Sequence, residues 1–327
     1  MISEKLKLII FKKKAINTYK GIIYKRCDDT GTVFFFSADD FPGLKTETLS
    51  FKASAGHTLE GCFYEYENAI PGRLIVFDHG FGGGHLAYMK EIEKLCRHGY
   101  KVFSYDHTGC MKSGGETPNG LGQSLCDLND CITMLKNDER FKNYDISVMG
   151  HSWGGFSTLN ISALHPEISH IVALSGFVSV QEMVNMLFPD KISCFRNLIF
   201  NLEKESNPES VKYHAVETLK NSDTKALLIY SANDTRCKRI HYDILKEGLA
   251  EKQNVKFLLV QNKNHNPNYT EDAVNYLREY SSARAKFIHK KNITDDEKAE
   301  FVASFDWDRM TAQDESVWNE IFNHLDN

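Results

Sequence analysis

The sequence predicts an α/β protein: a mostly parallel, eight-stranded sheet flanked by helices, with a helical insertion and a C-terminal helical extension. Three observations carry this. From Lys45 to Ile288, short β-rich runs alternate with longer helical patterns, the mark of βαβ units. Six of the runs are apolar almost throughout, as strands covered on both faces must be. One connection, between Leu174 and Lys225, is about fifty residues long where a single crossover helix would suffice.

Taken in order, Lys45–Ala53 and Thr58–Tyr66 are strand-like runs joined by Ser54-Ala55-Gly56-His57, a hairpin-length turn containing glycine. The apolar strands follow at Arg73–Phe77, Lys101–Tyr105, Asp145–Met149, His170–Leu174, Lys225–Tyr230 and Val255–Val260. Between them, His85–Arg97, Leu121–Lys136, Trp153–His165, Arg239–Lys252 and Thr270–Lys286 carry apolar residues at three- and four-residue spacing, predicting amphipathic helices laid on the sheet. Gly99 and Pro166 are stop signals. The long connection holds Val184, Met186, Leu187, Phe188, Phe195, Leu198, Ile199, Phe200 and Leu202, an apolar helical surface expected to cap the C-terminal edge of the sheet. The competing expectation is a helical hairpin packed on its side. Thr294-Asp295-Asp296-Glu297 is a capping box before a helix through Ser304, and a second helix runs Ala312–Leu325. Trp307 and Trp318 argue that this tail docks, on its own chain or on a second subunit; the oligomeric state stays open. The expected boundaries are an N-terminal extension over 1–44, a core over 45–176 and 223–288, a cap over 177–222 and the extension over 289–327.

Composition narrows the function classes. Of 327 residues, 42% are hydrophobic and 25% charged, ordinary for a globular chain able to bury a large core. The net charge of -5 argues against a nucleic-acid partner, whose binder would carry clustered Lys and Arg. Eight scattered cysteines form no CxxC pair and no zinc spacing, so they read as reduced thiols and the expected compartment is the cytoplasm. Leu8-Ile9-Ile10-Phe11 is too short for a signal segment and no stretch reaches membrane-spanning length, so no integral membrane association is expected. Lys12-Lys13-Lys14 beside that run has two readings: a patch resting on an anionic membrane surface, or an exposed helical end, which the sequence favours.

The chemistry sits at Gly150-His151-Ser152-Trp153-Gly154, between an apolar strand and a helical pattern. A serine in such a strand-to-helix turn is held in strained geometry, with small residues either side letting strand and helix approach. It also lies at a helix N-terminus, where backbone N–H groups stabilise negative charge. A serine hydroxyl needs a base to take its proton and a carboxylate to orient that base. Asp234, in the loop after Ala226–Tyr230, is the acid so placed; its plainer alternative is a helix N-cap. His265, in the loop after Val255–Val260, is the base, since His241 and His289 fall in helical segments and His324 near the terminus. His79-Gly80-Phe81-Gly82-Gly83-Gly84 follows the strand Arg73–Phe77. Its glycines suit an oxyanion hole made by the N–H groups of Phe81 and Trp153. A phosphate loop is the alternative, weakened by the absence of a GxxxxGK[ST] or GxGxxG frame.

Together His79–Gly82, Asp106-His107-Thr108-Gly109, Gly150–Gly154 and the Asp234 and His265 loops resemble the α/β-hydrolase superfamily over about Lys45 to Ile288. The likeness is to bacterial esterase, lipase and serine-aminopeptidase-like members. Two positions depart: Thr108-Gly109 stands where many relatives have Arg-Gly, and Asn264 where many have glycine before the histidine. The resemblance implies a serine hydrolase with no cofactor and no metal, acting on a small-molecule acyl ester. One alternative is a peptidase or amidase on the same triad, with Glu182, Asp190, Glu203 or Glu205 holding a substrate amine; their plainer role is a solvated helical face. Another is a non-catalytic binding protein on the same fold. Trp153 and the apolar insertion tilt the expected substrate toward hydrophobic acyl groups.

Overall fold

The computed structural model describes residues 4–327. The side chains of residues 4–9, among them Leu8 and Ile9 of the N-terminal run discussed above, lie outside the described residues.

All eight strands form, as β1 (Lys45–Lys52), β2 (Thr58–Glu65), β3 (Arg73–Asp78), β4 (Lys101–Tyr105), β5 (Asp145–His151), β6 (His170–Leu174), β7 (Lys225–Ser231) and β8 (Val255–Val260). They make one sheet in the order β1-β2-β4-β3-β5-β6-β7-β8. β2 pairs antiparallel with β1 and β4, and the other pairs are parallel. β1 is an edge and mostly exposed; its Lys45, Glu47 and Lys52 discourage further pairing there. Because β3 feeds β4 on one side while β5 lies on its other side, the connections diverge around β3 and β5. The carboxyl ends of these two strands are where such sheets hold ligands.

Helices α1 (Glu4–Ile23), α2 (Met89–Arg97), α3 (Gln123–Asn137), α4 (Trp153–Asn160), α5 (Val180–Leu187), α6 (Arg196–Ser206), α7 (Ala215–Lys220), α8 (Ile240–Gly248), α9 (Glu271–Phe287), α10 (Asp295–Ala303), α11 (Trp307–Met310) and α12 (Glu315–Leu325) complete the chain. Two apolar layers sandwich the sheet. One joins residues of α1, α3, α4, α7 and α8 to strand residues such as Val76, Val148 and Leu228. The other joins α2 and α12 to Ile75, Phe77, Val172 and Ile229. Within the insertion, α7 packs on α4 and α8, which leaves α5 and α6 as its outlying part. No described helix is long and apolar enough to cross a membrane, and all eight cysteines are free.

The C-terminal region corrects one expectation. The apolar period over Thr270–Lys286 predicts a helix lying on the sheet, yet the buried Tyr280 and Phe287 of α9 face Phe301, Phe305 and Trp307. The sheet face is taken instead by α12, whose Val317, Trp318, Ile321 and Leu325 are buried in the second layer. The tail therefore docks on its own chain. Arg73 reaches the Leu325 carbonyl, and Tyr100 donates 2.5 Å to Asp326. Trp318, fully buried and donating 2.8 Å from its indole to Gln313, is the largest single anchor. Replacing it with alanine leaves a large cavity under the sheet, and Trp318→Ala is expected to lose about 3–5 kcal/mol of stability, read from chemical denaturation.

Candidate active site

Ser152 sits where β5 ends and α4 begins, with φ 57° and ψ -108°. For a residue with a side chain this left-handed region costs on the order of 1–3 kcal/mol, and surrounding contacts hold it. The Ser152 N–H donates 2.8 Å to the Leu174 carbonyl at the end of β6, and the Ser152 carbonyl accepts from Phe156 at 3.0 Å. A Cβ on Gly154 would strike the backbone of Asp78, at the end of β3, and of His79 just after it, and one on Gly150 would strike the Thr158 hydroxyl and the backbone of Gly154. Glycine is required at both because α4 lies so close to β3 and β5 that neither position has room for a Cβ.

Asp234 lies in the loop after β7, 5% exposed. Its Oδ1 accepts the N–H groups of Arg236 (2.7 Å) and Cys237 (3.0 Å), while its Oδ2 accepts from His265 Nδ1 at 2.8 Å. The helix-cap alternative is thereby resolved: α8 begins only at Ile240, and Asp234 fastens its own turn with one oxygen while presenting the other to the histidine. His265 Nε2 stands 2.8 Å from Ser152 Oγ. With Nδ1–H donating to the carboxylate, Nε2 is the acceptor and the serine hydroxyl the donor. The structure thus brings Ser152, His265 and Asp234 into one hydrogen-bonded line.

The loop carrying His265 is zipped to the Asp234 loop by two asparagines. Asn264 N–H donates to Asn233 Oδ1 at 3.0 Å, and Asn264 Oδ1 accepts from the Thr235 N–H at 3.2 Å and its hydroxyl at 3.1 Å. Asn264 has φ 46°. This explains the departure from glycine: asparagine tolerates the left-handed region and adds hydrogen bonds that glycine lacks.

A further histidine grips the loop from below. His151 Nε2–H donates 2.7 Å to the His265 carbonyl; its Nδ1 accepts from the Tyr88 hydroxyl at 2.8 Å, which accepts from the Gly80 N–H at 3.1 Å. Burial, then the nearby His265, push His151 down to about 3, so it stays neutral with one nitrogen donating and one accepting. Nothing in the spacing of His151 or Tyr88 announces this relay. Cys237, another residue not anticipated, is buried beside Ser152 and Asp234, and burial pushes its thiol well up.

The Gly-rich loop follows β3, whose Asp78 pairs with Gly150 of β5. Among the described residues the N–H groups of Phe81 and Trp153 have no acceptor. The Phe81 ring meets the Trp153 ring edge-on at 5.1 Å. Trp153 itself is 1% exposed, with its indole donating to the Leu121 carbonyl at 2.7 Å. Its side chain belongs to the core, so it offers no acyl-binding surface, contrary to expectation. Glu203 is likewise neither solvated nor available to an amine. It is fully buried, accepting from Tyr19 (2.8 Å), Tyr24 (3.2 Å) and the Leu121 N–H (2.7 Å).

Under the loop lies a buried charge cluster that accounts for the Asp106–Gly109 motif. Asp106 Oδ1 accepts from the His85 N–H (2.9 Å) and ring (2.7 Å), fixing the far end of the loop. His107 lies between Asp78 (3.0 Å, outside hydrogen-bond alignment) and Asp127 (3.2 Å). Burial opposes its charge, but the two carboxylates hold its pKa up to about 10. Asp127 also accepts from the Thr108 N–H and hydroxyl. A histidine raised from an ordinary value near 6.5 contributes stability that is fully present below that value and is lost as pH rises through about 10. His107→Ala is expected to cost about 3–5 kcal/mol, because it strands buried carboxylates. Its stability should also change less than the wild type's between pH 6.5 and 10; parallel curves in urea titrations at several pH values would contradict this.

A family model described as "Serine aminopeptidase, S33" matches residues 69–256. The chain is 29% identical over 141 residues to "Putative carbamate hydrolase RutD" of Agrobacterium fabrum, covering 42% of this chain and 49% of that one. It is 25% identical over 218 residues to the acylamino-acid-releasing enzyme of Rattus norvegicus, covering 59% of this chain and 28% of the other. The chain thus spans about half or less of the length of these curated relatives. The Pyrococcus furiosus esterase Pf2001 superposes with a TM-score of 0.58 at 20% identity, over 78% of this chain and 96% of that one, a likeness of fold. With the family match spanning more than half of the residues and the sheet arranged as above, the chain belongs to the serine aminopeptidase S33 family of α/β hydrolases.

Proposed function

We propose that the protein is a serine hydrolase that cleaves a carboxylic ester through an acyl-enzyme. The observation that carries this reading is the line Ser152 Oγ, His265 Nε2, His265 Nδ1, Asp234 Oδ2, with both contacts at 2.8 Å and the serine in left-handed geometry. Ser152 attacks the ester carbonyl as its proton passes to His265. Asp234 orients the ring and stabilises the imidazolium. The oxyanion rests on the N–H groups of Phe81 and Trp153, each such donor typically worth about 3 kcal/mol in the transition state. His265 then protonates the departing alcohol, and the same steps with water release the acid. Every step uses groups of this chain.

In this reading α5 and α6, within the expected 177–222 cap, border the pocket. Supporting this, Glu203 of α6 accepts from the Leu121 N–H, and the Leu121 carbonyl accepts from the Trp153 indole, so the insertion is joined to the residue following the nucleophile. The family description and the acylamino-acid-releasing relative favour a second reading, amide cleavage. Against it, Glu203 is already committed to two tyrosines and a backbone amide, which removes one of the acids proposed to hold a substrate amine.

Hydrolysis of short p-nitrophenyl esters should fall by about four orders of magnitude in Ser152→Ala, and a fluorophosphonate probe should label the wild type alone. Equal rates would end the proposal, and absent labelling of the wild type would favour a binding role. Faster turnover of aminoacyl-naphthylamides than of acyl esters would select the amidase reading. Tyr88→Phe removes one hydrogen bond from His151. It should lower kcat about tenfold with KM unchanged, measured in steady-state kinetics; an unchanged kcat would deny the relay a role in positioning His265.

A further inference from the structure

From Ile16 to Ile23 the inner face of α1 packs on the body of the protein. Tyr19 is buried, and Ile16 and Ile23 pack against the core. A helix on a protein surface needs only one such face, yet α1 carries a second apolar set. Ile10, Phe11 and Ile22 are 52%, 61% and 62% exposed, the most exposed large apolar side chains among the described residues. In helical projection they share an outward arc of about 120° at 100° per residue, with Lys14 and Thr18 between them. Lys14 falls within this arc, Lys13 and Lys20 project about 60–80° beyond its edge, and Lys12 projects on the side of Tyr19 and Ile23, at 100° per residue; all four are exposed.

Charge selects the occupant. In sequence, α1 has six lysines against the single Glu4, a net +5, whereas the whole chain carries -5, so the remainder carries -10. A second copy would set one cationic helix against another. A nucleic acid would leave three apolar side chains without a role. An anionic lipid surface satisfies both features, with phosphate-bearing headgroups for the lysines and acyl chains for Ile10, Phe11 and Ile22. It also repels the acidic remainder, turning α1 toward the bilayer. We propose that α1 docks the protein on anionic membrane surfaces, lying in the interface and not across it.

The docking stands apart from the hydrolase reading, but its consequence for substrate rests on that reading. The inner face of α1 leads to the site: Tyr19 donates to Glu203, Glu203 accepts from Leu121, and Leu121 accepts from the Trp153 indole. A bilayer on α1 would thus meet the insertion side of the proposed pocket, suiting esters that reside in or leave a membrane.

Cosedimentation of the full chain with vesicles of phosphatidylcholine, with or without 25 mol% (about one lipid in four) phosphatidylglycerol, tests the docking. Binding is expected only with the anionic lipid and should weaken as salt is raised. Lys12→Glu, Lys13→Glu and Lys14→Glu together should lower partitioning by about a hundredfold or more, at roughly fivefold per lysine removed. Ile10→Ser, Phe11→Ser and Ile22→Ser together should abolish binding while the thermal midpoint is kept, since these side chains are exposed. Absent binding of the wild type, equal binding to neutral vesicles, or undiminished binding of both variants would overturn the proposal. So would a wild-type dimer that dissociates in the apolar variant, seen by light scattering without vesicles. Hydrolysis of soluble p-nitrophenyl esters by both variants should equal that of the wild type; if no ester is cleaved at all, the hydrolase reading fails while the vesicle result still decides the docking.

Discussion

The arrangement at the sheet's carboxyl edge depends on one close approach, that of Gly154 against the backbone of Asp78 and His79. With no side chain between them, the first turn of α4 lies directly on the end of β3. Ser152 is thereby forced into its left-handed conformation, and the Gly-rich loop leaving β3 emerges beside it. The strain is local, whereas the contacts that offset it are spread over three strands: the pairing of Asp78 with Gly150, the Ser152 N–H on Leu174, and the parallel ladders beneath. A side chain at Gly154 would separate β3 from α4 and remove the reason for the strain together with the geometry it produces.

Around that contact the protein builds with buried polar groups, which fix direction where apolar packing fixes only volume. Each is partnered for a positional reason. His107 lies between two carboxylates beneath Trp153, Asp106 holds the far end of the Gly-rich loop through His85, and neutral His151 ties the His265 carbonyl to Tyr88. The result is a set of loops tied to one another through side chains that bond backbone groups and other side chains of the neighbouring loop. The most direct case joins the acid-bearing and histidine-bearing loops, where the Asn264 N–H donates to Asn233 Oδ1 and the Thr235 N–H donates to Asn264 Oδ1.

The tail beyond Ile288 belongs to the same construction. By covering the sheet, α12 frees α9 to pack against α10, α11 and the N-terminal segment, where Tyr280 donates to the Thr32 carbonyl. It also steadies the His265 loop: Lys263 pairs with Asp314 at 2.6 Å, and Asn268 donates to Gln313 at 2.8 Å and accepts from the Asp314 N–H at 2.8 Å. Residues outside the family resemblance are thus tied directly to the segment that carries its histidine.

The sequence by itself determined the eight strands and the helices that alternate with them, and it picked out Ser152, Asp234 and His265, whose side chains the fold brings into one hydrogen-bonded line. Those properties are written locally, in side-chain period, in glycine spacing and in the rule that loops at strand carboxyl ends share one edge. Even there α9 misled, because an amphipathic pattern states that a face is buried and not what buries it. Only the tertiary structure decided that α12 covers the sheet, that Glu203 is sealed between α1 and the 121 loop, that Trp153 points inward, and that His151 and Tyr88 join the His265 loop to the Gly-rich loop. Each of these is a contact between residues far apart in the chain, and no local pattern marks such a partner. Their chemistry is that of ordinary polar or aromatic side chains, and only the packing that buries them gives each a particular neighbour.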